Sequence, residues 1–357
     1  MSSPTATRRQ AADLRAARHH DEDAFERVIA PHRSGLQAHC YRMLGSAADA
    51  DDAMQETLLR AWRGLPRFEG RSSLRSWLYR IATNVCLKLI ERRPKRVLPV
   101  DYGPPSDPHD PLHGPVAEPV WLGPYPDEGV PDDRAAPDAR YEQRESVELA
   151  FIAALQHLPE RQRAVLLLRD VLGFAPSEIA DALDATPASV YSALQRAHVA
   201  VEERLPAISQ QATLRSIGDR RLRDLVQRYT RAWEDGDVAA IAAMLTDDAT
   251  LTMPPRPSWY RGRAVIGEFL AARPLACAGR WRVVPARANG QPAFGFFNSG
   301  AETGRHVAHS IEVLTLDAGG RIAAITSFHD RGAFARFGLP DAIGADGSGS
   351  AGGSLLA

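Results

Sequence analysis

Few cysteines, no long apolar run and almost no net charge mark this chain, and each absence closes off a class of protein. Its 357 residues include three cysteines, Cys40, Cys86 and Cys277. None forms a CxxC pair or stands beside histidine at metal-ligand spacing. That argues against a disulfide framework or a zinc site and for buried free thiols in a reducing compartment. No run of about 18 apolar residues occurs that could span a bilayer. The segment MSSPTATRRQAADLRAARHHDED lacks the apolar centre of a signal peptide, so a cytoplasmic location is expected. No internal repeat of solenoid period is present. The formal net charge is −1, which by itself points to no charged partner.

What is present is unevenly distributed. Residues 60–96 hold nine Arg and two Lys against Glu69 and Glu91, a net of +9, whereas residues 97–145 hold eleven acids against Arg134, Arg140 and Arg144, a net of −8. A basic block followed by an acidic one suggests a polyanionic partner for the first and a solvated tether for the second. A composition of 44% hydrophobic and 24% charged residues is that of a soluble globular protein, and the length favours two or three domains. The first helical region spans 20–96. There Phe25, Val28, Ile29, Leu36, Cys40, Met43 and Leu44 recur at helical spacing up to a break at Gly45. The stripe resumes with Ala50, Ala53, Met54, Thr57, Leu58, Ala61 and Trp62. Residues 97–139 contain 11 of the 26 prolines in an acidic background and read as an extended linker. Trp121 and Tyr125 within WLGPYPDEG are costly to leave in water, so that piece is expected to dock. A second helical domain covers 140–208, a mixed helix and strand domain 216–340, and a Gly/Ser-rich, disordered tail 341–357.

Two helices carry chemistry. Thr186 can cap a helix that opens with Pro187. Val190, Leu194 and Ala197 face inward, and Pro187, Ala188, Ser189, Tyr191, Ser192, Gln195 and Arg196 are left outward. With Ser177–Leu183 before it, this is the layout of a recognition helix entering a major groove N-terminus first; a plain helical hairpin with a polar face fits the same spacing. In the basic block, Leu74, Trp77, Leu78, Ile81, Val85 and Leu89 form a core stripe. Arg75, Tyr79, Arg80, Asn84, Lys88 and Arg92 fall elsewhere, suited to stacking on unpaired bases while phosphates are neutralised, or to an ordinary solvated basic face.

In order, DADDAMQETLLRAW, RFEGRSSLRSWLYRIATNVCLKLI and LPERQRAVLLLRDVLGFAPSEIADALDATPASVYSALQRA resemble regions two and four of an extracytoplasmic-function sigma factor of the sigma-70 family. The resemblance implies two all-α domains, a region 2 helical bundle and a region 4 helix–turn–helix. It implies core RNA polymerase as partner, through the β′ clamp and the β flap, and promoter DNA. Asp51, Asp52, Gln55, Glu56 and Leu59 would dock on the polymerase. The loop Arg71, Ser72, Ser73 with Arg75, Tyr79, Arg80, Asn84, Lys88 and Arg92 would melt and read the −10 element, and the helix from Pro187 to Ala197 would read the −35 element. No catalytic residue, cofactor, metal or membrane is implied. The chain departs from the usual pattern in having Asp184 at the turn, Ala175-Pro176 before the first helix of the pair, and Ala193 and Gln195 at often-basic positions.

Residues 216–340 resemble the SnoaL-like, cone-shaped α+β fold shared with nuclear transport factor 2 and ketosteroid isomerase. A hairpin is expected at Asn289-Gly290 and another around Asp317 to Gly320. The resemblance implies an apolar pocket, with Tyr229, Trp233, Met253, Trp259, Phe269, Phe296, His309 and Phe328 as candidate lining and an unidentified small ligand as candidate occupant. His309 shares strand parity with Val307, Ile311 and Val313. It reads as a general acid or base, or as a satisfied interior histidine with no acid at an evident partner position. A metal site from His306, His309 and His329 is disfavoured because 306 and 309 alternate across a strand. The combination suggests a sigma factor regulated in cis by its C-terminal domain; the alternative is an isomerase, a hydrolase or a ligand sensor fused to DNA-binding helices.

Overall fold

A computed structural model describes residues 4–116, 121–129, 146–276, 280–299 and 305–344. Cys277, linker residues 117–120 and 130–139, residues 140–145 and the tail beyond 344 lie outside the described residues, and the disorder expected from 341 does not hold at its start, where Ala342–Ile343 pair as a strand. The chain forms two compact units. The first comprises Met1–Lys95, Gly129–Ala135 and Ala154–Leu205, the second Arg96–Glu128, Ala136–Ala153 and Pro206–Ala357.

The first unit is helical. It contains α1 (Pro4–Arg18), α2 (Glu22–Ile29), α3 (Arg33–Leu44), α4 (Ala47–Gly64) and α5 (Leu74–Ile90). After α6 (Leu149–Gln156), in which the division between units falls, come α7 (Glu160–Leu166), a π-helical turn (Leu167–Val171), α8 (Pro176–Leu183) and α9 (Pro187–Glu202). Local chemistry sets the helix ends. Asp21, Ser46, Ser73 and Thr186 accept the N–H three residues on and so satisfy a free donor of α2, α4, α5 and α9. Gly45 closes α3 with φ 68° and Asp184 closes α8 with φ 49°, the left-handed conformation that Asp tolerates better than most residues. Ala175 cannot cap by its side chain, and Glu178 Oε2 accepts its N–H at 2.9 Å instead.

The buried face of α5 differs from the expected stripe. Leu78 and Val85 are buried as expected, but Trp77, Ile81 and Leu89 are only half-buried, while Tyr79 is 4% exposed and Thr83 is fully buried. The cause is packing on two sides. The α3 helix meets α5 through His39, whose ring nitrogen lies 2.9 Å from Thr83 Oγ1 and whose ring lies edge-on to Tyr79. From the other side Phe174 presents its ring to Tyr79. Gly35 admits this arrangement, because a Cβ there would stand 2.5 Å from the Tyr79 hydroxyl. Trp77 packs on Phe68 and against Gly64. The two helical halves are joined by the buried Arg163. It donates to the carbonyl of Met43 at the end of α3, to Gln156 Oε1 at 2.6 Å, and to the carbonyls of Gln156 and Leu158.

The second unit wraps α10 (Gln210–Ile217), α11 (Asp219–Asp235), α12 (Val238–Met244) and α13 (Arg263–Ala272) around one face of a sheet. Its strands are β1 (Leu245–Thr252), β2 (Trp259–Arg261), β3 (Trp281–Ala288), β4 (Gln291–Ser299), β5 (His306–Leu316), β6 (Ile322–Phe328) and β7 (Ala342–Ile343). The order is β2-β1-β6-β5-β4-β3 with β7 beside β5, and β1 runs parallel to β6. Tyr229, Trp233, Ile266, Phe269, Phe294, Phe296 and Leu314 build the core under the helices. The opposite sheet face is covered by short α14 (Ala333–Arg336) and its neighbours, through Phe334, Leu339 and Ile343, and by Leu149 packing with Val313 and Phe328.

Residues 97–128, expected as a solvated tether, pack on this unit where they are described. Trp121 and Tyr125 are buried. Arg96 donates to the Trp121 carbonyl at 2.6 Å, and Val97 forms a bridge with Trp121. Tyr125 exchanges hydrogen bonds with Asn289: its N–H reaches Asn289 Oδ1 at 2.9 Å, and its carbonyl accepts the Asn289 N–H at 2.8 Å. Asn289 and Gly290 have φ 57° and 69°, as the expected tight turn requires.

Candidate nucleic-acid interface and C-terminal cavity

On α9 the sequence-predicted set comes together. Pro187, Ala188, Ser189, Tyr191, Ser192, Gln195 and Arg196 are all exposed, Tyr191 at 60%, while Val190 and Ala197 are buried against α7 and α8. The face runs from small polar groups to a guanidinium, and the Thr186 and Ser189 side chains each accept the other's backbone N–H at 3.2 Å, so its N-terminus is held rigidly.

On α4, Asp52, Gln55 and Leu59 are exposed and Asp51 and Glu56 half-exposed. Asp51 accepts from Gln37 at 2.6 Å, and Glu56 pairs with Arg60 one turn on. Leu59, 49% exposed on this acidic face, is a large apolar side chain left in water.

The α5 set divides. Arg71 and Ser72 are in the open loop, Ser73 caps the helix, Lys88 and Arg92 are exposed, and Asn84 is half-exposed. Tyr79 belongs to the interior, so it offers no free ring face. The remaining two, Arg75 and Arg80, meet the second helical half of the same unit, as does Ser76 between them. Arg75 donates to the Leu172 carbonyl at 2.8 Å with its guanidinium 4.5 Å from the Phe174 ring centre. Ser76 donates to Glu178 at 2.8 Å, and Arg80 lies 3.3 Å from Asp184. These contacts hold Glu178 ionised: the Ala175 N–H and the Ser76 hydroxyl pull its carboxyl below the usual range. Ser76, Leu172 and Glu178 carry no local sequence sign of this contact, because their meeting depends on segments about a hundred residues apart.

In the second unit a cavity of about 330 Å³ opens between the helices and the sheet, lined by Trp233, Met253, Phe269, Phe296 and His309 of the expected set. Tyr229 lies behind the wall, donating to Glu312 at 2.9 Å. Trp259 and Phe328 do not line it. Trp259 turns its indole N–H to the Gly103 carbonyl at 2.8 Å, and Phe328 points to the other sheet face. A β-bulge accounts for His309: Phe296 faces Ser310 and Phe297 faces Ala308, leaving His309 as the extra residue. The alternation inverts there, so His309, Ser310 and Glu312 all line the cavity while Ile311 and Val313 pack on the far side. The expected parity of His309 with Ile311 and Val313 therefore fails, and an acid does stand in the same cavity. Burial raises the Glu312 carboxyl to about 7, against the hydrogen bonds from Tyr229 and Ser327. Burial, with help from nearby arginines, lowers His309 to about 4. Burial and the neighbouring His309 lower His329 to about 3. Glu312, Arg256, Arg273 and Arg280 also line this cavity, and in the sequence they carry no signal beyond a lone acid in an apolar strand and scattered loop arginines. Among the described residues no cluster of His, Cys, Asp or Glu has the makings of a metal site, and no helix is long and apolar enough to cross a membrane.

An exposed helix–turn–helix face, a basic α5 and an acidic α4 are features of nucleic-acid-binding helical proteins, and here an α+β domain follows them. Comparison with known families resolves which kind. The family model for sigma-70 region 2 matches residues 28–96, that for sigma-70 region 4 residues 148–199, and that for the SnoaL-like domain residues 226–325. The chain is 42% identical over 321 residues to the ECF RNA polymerase sigma factor SigG of Mycobacterium tuberculosis, covering 89% of this chain and 85% of the relative. It is 26% identical over 192 residues to the RNA polymerase sigma-H factor of Pseudomonas aeruginosa, covering 54% of this chain and 91% of the relative. The crystal structure of the M. tuberculosis extracytoplasmic function sigma factor SigJ shares the fold, with a TM-score of 0.53 at 21% identity over 86% of this chain and 97% of that one. The chain belongs to the ECF RNA polymerase sigma factors.

Proposed function

We propose that this sigma factor divides promoter recognition between α5 and α9 and docks on core polymerase through α4. The carrying observation is the α9 face, where all seven outward residues are exposed on a capped helix. A helix presented this way reads base edges with its first turns and phosphates with Arg196. The Arg71–Ser73 loop, Arg75, Arg80, Asn84, Lys88 and Arg92 contact the −10 strand, and Tyr79 supports them from within. The acidic face of α4 with exposed Leu59 suits a basic, partly apolar groove on the polymerase.

Because Arg75 and Arg80 are engaged by Leu172 and Asp184, α5 must part from α8 before it can hold DNA; free protein would then bind promoter weakly and core polymerase would open it. The C-terminal unit modulates this output in cis and catalyses nothing. Run-off transcription with purified core polymerase tests the reading, using full-length protein and the Arg80→Ala/Asn84→Ala and Tyr191→Ala/Arg196→Ala variants. Each variant is expected to lower specific transcripts at least about tenfold, the loss of one or two good contacts. Unchanged transcripts from both would sink it, and turnover of a small cyclic substrate, lost in His309→Ala, would overturn the non-enzymatic assignment.

A further inference from the structure

The C-terminal cavity has a chemistry that sigma-factor action does not require. Its walls are apolar, from Trp233, Leu251, Met253, Phe269, Trp281 and Phe296, and its depth is polar, with Ser310, Glu312 and Ser327. Its volume of about 330 Å³ falls at the low end of the roughly 300–1,000 Å³ typical of small-molecule sites. Arg256, Arg273 and Arg280 also line it, and Glu312 is the one carboxyl among the lining residues. With that carboxyl largely protonated below neutrality and both histidines uncharged, the lining carries a net positive charge, contributed by the three arginines.

Over this cavity lies the stretch 103–116, which has no regular helix or strand. It is fastened by few bonds. Trp259 donates to the Gly103 carbonyl at 2.8 Å and accepts the Ser106 N–H at 2.7 Å; the Val116 N–H reaches the Pro255 carbonyl at 3.0 Å. Arg273 donates to the Asp110 carbonyl at 2.9 Å and Arg256 to the His113 carbonyl at 2.9 Å, while Leu112, between them, contributes its side chain to the cavity lining. Two of the cavity's three guanidiniums are thus spent on neutral carbonyls of the strap. A charged acceptor forms the stronger bond with either one.

We propose that the cavity binds an apolar organic carboxylate, and that ligand and strap compete for Arg256 and Arg273, so that binding releases residues 103–116. The apolar body lies against the tryptophans and phenylalanines, the carboxylate meets the arginines at the mouth, and a hydroxyl or carbonyl at the far end meets Glu312 and the two serines. Arg256 and Arg273 then leave the Asp110 and His113 carbonyls to water, and a segment held by so few bonds opens locally. The inference does not depend on which promoter elements α5 and α9 read.

The test uses full-length protein titrated calorimetrically with 2-naphthoate and decanoate, each against its uncharged amide, with hydrogen exchange followed at 103–116. At least one carboxylate is expected to bind one to one, about tenfold or more tighter than its amide, and Arg273→Gln should abolish that preference while melting like the parent. On saturation the Ser106 and Val116 amides should exchange at least about tenfold faster while β4 and β5 are unchanged. Equal affinity for acid and amide, or no binding of either acid up to about 1 mM, overturns the anion site. Binding without faster exchange at Ser106 and Val116 overturns the competition with the strap.

Discussion

Glu312 is the residue whose environment departs furthest from its sequence. Read along β5 it is a lone acid in an apolar strand; in the fold it is fully buried and bound by Tyr229 and Ser327. Its carboxyl titrates near 7 in the folded state, above the ordinary value of 4.5 for the unfolded chain. The folded state therefore holds the proton more tightly between those values, and stability attributable to this group is full below about 4.5 and declines as pH rises through about 7. Glu312→Gln lacks that titration. Its melting temperature is expected to gain on the parent between about pH 5 and pH 7.5, by the equivalent of roughly 2–3 kcal/mol, then level off; a difference independent of pH would refute the assignment. Arg163 is a second such residue. Burial lowers its guanidinium to about 10, and its hydrogen bonds to three carbonyls and an amide oxygen offset the desolvation. Arg163→Met would leave those acceptors unpaired. It should cost about 2–3 kcal/mol in the urea unfolding of the helical signal, whereas an unchanged midpoint would show the network to be dispensable.

At the scale of elements, caps and terminators were legible in the sequence because they are local chemistry: Thr186 with Pro187, Gly45 and Asp184 act where a reading of neighbours places them. The α9 face was legible for the same reason, its spacing separating three inward from seven outward residues. The α5 face was not. A single amphipathic stripe predicts one buried side, but α5 packs on α3 and also on Phe174, so Tyr79 is enclosed and Trp77 moves toward the rim. That second contact carries a prediction. Glu178→Gln with Asp184→Asn removes two charges facing Ser76, Arg75 and Arg80, and should raise the affinity of free protein for promoter DNA several-fold in a gel-shift titration; unchanged affinity would mean that the α5–α8 contact does not restrain DNA binding. Gly35→Ala places a methyl within 2.5 Å of the Tyr79 hydroxyl. It is expected to destabilise by about 1–3 kcal/mol through forced repacking, measured as a lower melting temperature.

For the molecule as a whole, the linker changes meaning most. An acidic, proline-rich stretch reads as a tether in which only the piece holding Trp121 and Tyr125 is expected to dock; that piece does dock, with Tyr125 and Asp127 seated on the Asn289-Gly290 turn. The Gly290 N–H donates to Asp127 at 2.7 Å and Asn289 Nδ2 donates to the Val147 carbonyl at 2.7 Å. Asn289→Ala should free this segment and increase protease cleavage within 121–129, with truncation after about residue 210 having the same effect and altering transcript yield. Protection of 121–129 in either variant would contradict the seating. By itself the sequence determined the three family domains, the helix boundaries at Gly45, Asp184 and Thr186-Pro187, the exposed face of α9 and the existence of the Asn289-Gly290 turn, since each follows from spacing and neighbouring residues. Only the tertiary structure decided that the turn is a buried socket, that His309 and Glu312 share a cavity across a bulge, and that Arg75 and Arg80 are occupied. Those outcomes depend on which distant surfaces meet, and residues far apart in the chain carry no local sign of it.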